Sequence, residues 1–230
     1  MIDRRRLMQG LGVGAAGLSA SAALSRAIAQ GVEPLPATVD ALFFAPDELA
    51  FVRAAMDALI PPSDAGPSAT EAAAHVYLDR ALMTVYGAGE GWFLEGPYAQ
   101  GEQTQGYQLP LTPAELYRAG IEEAEAWSRG TYGGALADLD APTRAEAMGA
   151  MQSGDAALAT IPAPLFFGTL WFDTQVGYFA DPIYGGNKDM AAWRMLGFPG
   201  AYSEMREFVG QRTPVEIEPV SLLQFFEEVR

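Results

Sequence analysis

Proline and glycine punctuate this chain at intervals that suit single helices, and between them apolar residues recur every three or four positions. That pattern constrains the fold more than any other feature, because a 3–4 repeat commits a segment to helix and a period of two to strand. Pro46-Asp47-Glu48 opens a first helix with acids in its first turn; Leu49, Val52, Met56 and Leu59 mark its buried face, and Pro61-Pro62 stops it. A second is expected from about Ala69 to Tyr86, with Ala72, Val76, Leu78 or Asp79, and Leu82 on its inner side. Thr112-Pro113-Ala114-Glu115 is a capping-box start for a third, whose face runs through Leu116, Gly120, Ala124 and Trp127 to Arg129, with Gly130 as its stop. A fourth, capped by Asp140, spans Pro142 to Gln152. A fifth runs from Ala163 to about Val176, and its Leu165, Phe166, Phe167, Leu170, Trp171 and Phe172 are expected in the core. Only Pro214 to Val220 hints at strand. The expected fold is mainly α, a compact single domain of about six to eight helices with long irregular loops.

The N-terminus stands apart. Asp3-Arg4-Arg5-Arg6-Leu7-Met8-Gln9 leads into a stretch from Gly10 to Leu24 that Gly12, Gly14 and Gly17 dilute, and Ala27-Ile28-Ala29 follows. A basic start, an apolar middle and an A-x-A end describe a secretory signal. The paired Arg4 and Arg5 and the softened middle favour the twin-arginine (Tat) route, which exports proteins already folded. Residues 1–29 are therefore expected to be a leader cleaved between Ala29 and Gln30, with residues 30–230 as one periplasmic domain. From Gln30 to Phe44, with Pro34 and Pro36, an extended arm is expected. Losing Asp3, Arg4, Arg5, Arg6 and Arg26 takes Lys+Arg from 14 to 10 and Asp+Glu from 29 to 28, a net charge of about −18. Such acidity repels nucleic acid and anionic lipid and keeps an exported protein soluble.

Several chemistries are closed off. Without cysteine there is no disulfide, Fe–S cluster, thiolate zinc site or covalent c-type haem. The one histidine, His75, permits no histidine pair, and no serine sits in a G-x-S-x-G context. The longest uncharged run after the leader, Ala156 to Phe172, is broken by Pro162 and Pro164, so it is not read as a membrane span. Asp173 and Asp181 are the candidates for a general acid and base, though their separation in sequence sets no distance.

Gly87 to Pro110 has six glycines and two prolines, no helical or strand period, and four large aromatics: Trp92, Phe93, Tyr98 and Tyr107. Aromatics on a long irregular segment suit either a protein interface or packing back onto the domain's own core. From Thr174 the chain reads TQVGYFADPIYGGNKDMAAWRMLGFPGA. Pro182 ends the preceding helix at Asp181, Tyr184-Gly185-Gly186-Asn187 is a turn that requires positive φ, Asn187 can cap a helix from Lys188 to Leu196, and Gly197 can terminate it. The turn lacks the G-x-G-x-x-G or G-x-x-x-x-G-K frame of a phosphate loop. Asp181, Pro182, Tyr184, Asn187 and Trp193 read either as a turn and cap on the chain's own core or as a contact surface for a partner.

This stretch resembles the gluconate 2-dehydrogenase subunit 3 family, whose T-x-x-G-x-F-x-D-P-x-Y-G-G-N-x-D-x-x-x-W-x-x-x-G-F-P-G pattern it carries from Thr174 through Gly200. Leu59-Ile60-Pro61-Pro62 with Asp64, Ala72 to Arg80 with Tyr77 and Asp79, and Tyr86-Gly87 through Gly96-Pro97-Tyr98 to Tyr107-Gln108 are similar too. One departure is Gly66-Pro67-Ser68-Ala69, where relatives often read G-P-G-A. The resemblance implies a non-catalytic small (gamma) subunit with no cofactor or metal of its own. Its implied partner is a large FAD-containing dehydrogenase subunit of the glucose-methanol-choline (GMC) type, which oxidises a sugar, sugar acid or polyol. A multihaem cytochrome c subunit often accompanies that pair. The implied role is to carry the export signal for the folded flavoprotein and aid its maturation. The alternative of another class is a free-standing periplasmic carbohydrate-active enzyme using paired carboxylates.

Overall fold

The structure, a computed structural model, describes residues 41–98, 101–102, 106–201, 206–211 and 215–228. The leader, its arginines and the Ala29–Gln30 junction lie outside the described residues. Helix α1 (Pro46–Leu59) begins at the expected proline, and Glu48 reaches back to accept the N–H of Ala45 at 2.8 Å. It buries Phe51, Val52, Ala54, Ala55 and Met56, whereas Leu49 and Leu59 are only partly covered. Helix α2 is shorter than its sequence pattern, Ala74–Ala81 rather than 69–86. Ser68 and Glu71 cap each other's backbone N–H groups and start a turn, so the serine in Gly66-Pro67-Ser68-Ala69 serves as a cap. Ala73 then takes a left-handed conformation (φ 60°) because the Ala72 carbonyl accepts the N–H of Lys188 at 3.0 Å instead of continuing the helix.

Helix α3 (Pro113–Tyr132) carries both halves of its capping box, Glu115 N–H to Thr112 Oγ1 at 3.3 Å and Thr112 N–H to Glu115 Oε2 at 2.8 Å. It runs through Gly130, and Gly133 (φ 83°) makes the left-handed stop instead. A 3₁₀ turn (Leu136–Asp138) leads to α4 (Ala141–Ser153), which Asp140 caps by accepting the Thr143 N–H at 2.9 Å. Helix α5 (Ala163–Phe179) extends one turn past expectation. After 3₁₀ turns at Pro182–Tyr184 and Lys188–Met190 come α6 (Ala191–Leu196), a 3₁₀ turn at Arg206–Phe208, and α7 (Leu222–Glu228). The expected strand is not formed among the described residues: Val220 makes only an isolated parallel bridge to Gly200, and Pro214 lies outside them.

Helix α5 is the hub, touching α1, α2, α3, α4 and α6. Its Phe166 stacks on Phe51 (centroids 6.2 Å) and meets Tyr117 edge-on (5.9 Å), and it fits only because residue 120 is glycine, where a Cβ would stand 2.5 Å from the Phe166 ring. The expectation that all the bulky residues of α5 are core needs correction. Phe166 and Leu170 are buried, but Trp171, Phe172 and Phe179 face outward, because buried contacts occupy only one side of the helix.

Carboxylates clasp the segments that helices leave loose. Asp79 on α2 accepts three successive N–H groups, Leu42 at 2.7 Å and Phe43 and Phe44 at 3.0 Å each. Glu123 on α3 accepts those of Thr160 (2.8 Å) and Ile161 (3.0 Å), and Asp181 accepts those of Ile183 (3.0 Å) and Leu222 (2.8 Å). Truncating Asp79 to alanine strands the N–H groups of residues 42–44, of which the Phe44 bond is buried. D79A is expected to lose about 3 kcal/mol in urea unfolding, and D79N, which retains one acceptor oxygen, less.

Candidate functional site

Helix α5 contains one charged residue, Asp173, and it is buried. A buried carboxylate needs donors, and two tyrosines supply them. Tyr117, from the second turn of α3, donates to Oδ2 at 2.7 Å; Tyr86, from the turns after α2, lies 2.8 Å from Oδ2 and 3.0 Å from Oδ1. Burial lifts Asp173 from the ordinary aspartate value of 3.8 to about 6, against the opposing pull of the two tyrosine hydroxyls. Burial, and then the Asp173 charge, push both tyrosines up, so they remain protonated donors. The cluster ties the root of the aromatic loop to the hub helix. Asp181 uses both its oxygens on backbone N–H groups beyond the end of α5. The two carboxylates are thus occupied separately rather than facing one cleft. His75 is largely buried and pushed down to about 4 by burial and by Arg53, so it is neutral at physiological pH. Among the described residues no group of three His, Cys, Asp or Glu is placed to hold a metal, and no helix is long and apolar enough to cross a membrane.

The segment from Thr174 to Gly200 is a buckle. Gly177 lets α2 approach so closely that a Cβ there would lie 2.8 Å from the Ala74 carbonyl oxygen. Gly186 presses on the same point, where its Cβ would stand 2.0 Å from the Gly177 carbonyl oxygen. Asn187 is fully buried at φ 46°, and its Oδ1 accepts the Ala192 N–H at 2.9 Å, so it caps α6 rather than the Lys188–Met190 turn. Asp189 and Met190 also have positive φ, and such strain persists only where surrounding contacts over-determine it. Tyr178 Oη donates to the Pro67 carbonyl at 2.9 Å and Trp193 Nε1 to the Phe179 carbonyl at 2.8 Å. Gly197 (φ 67°) ends α6 as expected.

The residues read from sequence as a possible contact surface therefore divide. Asp181, Asn187 and Trp193 are buried and direct their polar atoms into the chain, and Pro182 is partly covered. Tyr107 packs against the core, and Trp92 leans edge-on against both Tyr86 and Tyr107. Phe93, Tyr98 and Tyr184 stand in solvent, together with Trp171, Phe172 and Phe179 on α5. Sequence reasoning missed the Tyr86–Asp173–Tyr117 cluster, although a lone acid inside an uncharged helix was the available signal.

Fold and site define a small all-helical domain whose polar groups hold its own segments together while large aromatics remain outside. The family model for gluconate 2-dehydrogenase subunit 3 matches residues 46–200, from the start of α1 to the end of the buckle, and the chain belongs to that family. No curated protein and no solved structure matches it.

For Asp173 the sign of the pH effect is fixed by its raised folded value. The carboxyl holds its proton to higher pH in the folded chain than in the unfolded one, so its contribution is full below pH 3.8 and is lost as pH rises through about 6. D173N, which cannot ionise, is expected to gain about 3 kcal/mol relative to the wild type between about pH 3 and about pH 8, read by urea unfolding across that range. A difference that stays constant with pH would mean that the carboxyl ionises as freely in the fold as in water.

Proposed function

We propose that this chain is the non-catalytic small subunit of a periplasmic FAD-dependent dehydrogenase complex that oxidises a sugar, sugar acid or polyol. Membership of the subunit 3 family implies assembly with a larger dehydrogenase subunit. The observation that carries the reading is helix α5, which has no charge outside buried Asp173 and turns Trp171, Phe172 and Phe179 to solvent. A helix that is apolar all round belongs in the interior of an assembly. In a chain with net charge −15, aromatics left on the hub helix are best explained by a partner surface that covers them.

In this reading the large subunit is a GMC-type flavoprotein that binds FAD and performs the oxidation, and a multihaem cytochrome c subunit accepts its electrons where one is present. The small subunit carries Arg4 and Arg5 for the Tat translocase and takes the folded flavoprotein across with it. The buckle and the carboxylate clasps supply a rigid body for that escort.

Replacing Arg4 and Arg5 by lysine is expected to leave both subunits in the cytoplasm, followed by cell fractionation and by the flavin absorbance of the material that co-purifies with a C-terminal tag. Normal export of the flavoprotein with the double-lysine leader would refute the escort role. A colourless single species from wild-type periplasm would refute the subunit assignment.

A further inference from the structure

The loop after Tyr86 sorts its aromatics into two ranks. Trp92 and Tyr107 form the inner rank, ring against ring with centroids 5.1 Å apart; Trp92 keeps 37% exposure but also lies 6.2 Å from the Tyr86 ring that Asp173 holds. The outer rank is Phe93, which is 83% exposed, and Tyr98, which is 43% exposed and donates its hydroxyl to the Leu94 carbonyl within the same loop. A phenylalanine in water directly beside a pinned tryptophan is an apolar knob on a fixed stem, and its exposure costs the free chain favourable burial.

Charge around the knob is one-sided. From residue 81 to residue 117 there is no lysine, arginine or histidine, while Glu90, Glu95, Glu102 and Glu115 all fall in that span. Glu90 and Glu95 flank Phe93, both are exposed, and neither forms an ion pair among the described residues. Elsewhere Glu48 pairs with Arg118, Glu125 with Arg129 and Glu218 with Arg194. An anionic lipid surface would repel this loop, and a second copy of the chain would set acid against acid. The complement is a protein surface with an apolar socket and a basic rim.

We infer that residues 90–98 form the specificity knob of the subunit interface, with Phe93 seated in an apolar socket of the larger dehydrogenase subunit and Glu90 and Glu95 meeting arginine or lysine side chains on its rim. The inference rests on the proposed function, because the socket belongs to that partner. Phe93 supplies area in a desolvated centre, the two glutamates set the encounter rate and the orientation, and the Tyr86–Asp173 tether keeps the loop pre-organised.

The test uses the full mature chain and the larger dehydrogenase subunit that co-purifies with it, with association and dissociation rates measured over a range of salt. F93A is expected to weaken the complex by about 30-fold while leaving the melting temperature of the free chain unchanged. The double variant E90K/E95K is expected to associate more slowly than wild type and to lose the fall in association rate with rising ionic strength. A wild-type complex indifferent to all three substitutions overturns the docking surface and leaves the proposed function standing. Loss of free-chain stability matching the loss of affinity in F93A assigns the ring to the core and overturns it too. A wild-type chain that holds no larger subunit overturns the proposed function, and this surface with it.

Discussion

Two close backbone approaches meet at one residue of the hub helix, and much of the structure is arranged around them. At Gly177 the carbonyl of Ala74 and the Gly-Gly-Asn turn both come nearer to α5 than any side chain would permit. One approach brings α2 against α5 and so places Asp79 where it can hold residues 42–44. The other brings Lys188 to the Ala72 carbonyl and positions Asn187 to start α6. Gly177 and Gly186 of the family pattern are points where backbone touches backbone, whereas Gly185 and Gly197 stand at positive φ.

The acidic composition has a structural use as well as a solvation one. Asp79, Glu123 and Asp181 each accept N–H groups from segments that no helix satisfies, and Asp173 accepts tyrosine hydroxyls at the root of the aromatic loop. A carboxylate is suited to this because it offers two acceptor oxygens and its bonds to N–H are charge-assisted. Oxygens occupied by internal donors are poorly placed to exchange protons with a substrate, which weighs against the free-standing enzyme with paired carboxylates.

Helix starts were legible in the sequence because a cap is a contract among four neighbouring residues. Thr112 with Glu115 and Asp140 with Thr143 form as their order in the chain predicts, and the acid expected in the first turn after Pro46, Glu48, accepts the Ala45 N–H. Helix ends were less legible. Gly130 and Gly133 are equally able to stop α3, and the chain turns at the later one, just before the buried Leu136. The break at Ala73 was hidden altogether, since its cause is an N–H that arrives from Lys188, more than a hundred residues on. The exposure of the aromatics was half legible. Sequence marked the aromatics but had no means of telling Tyr107, which packs on the core, and Trp92, half-exposed but edge-on to Tyr107, from Phe93 and Tyr98, which stand further out.

By itself the sequence determined the all-helical class, the family and the caps at Thr112 and Asp140, because each depends on local backbone preference or on a short recognisable pattern. Tertiary structure alone decided which face of α5 is covered, that Asp173 is an internal acceptor, and which aromatics remain exposed. Those outcomes depend on burial, and burial is a property of segments distant in sequence that meet in space.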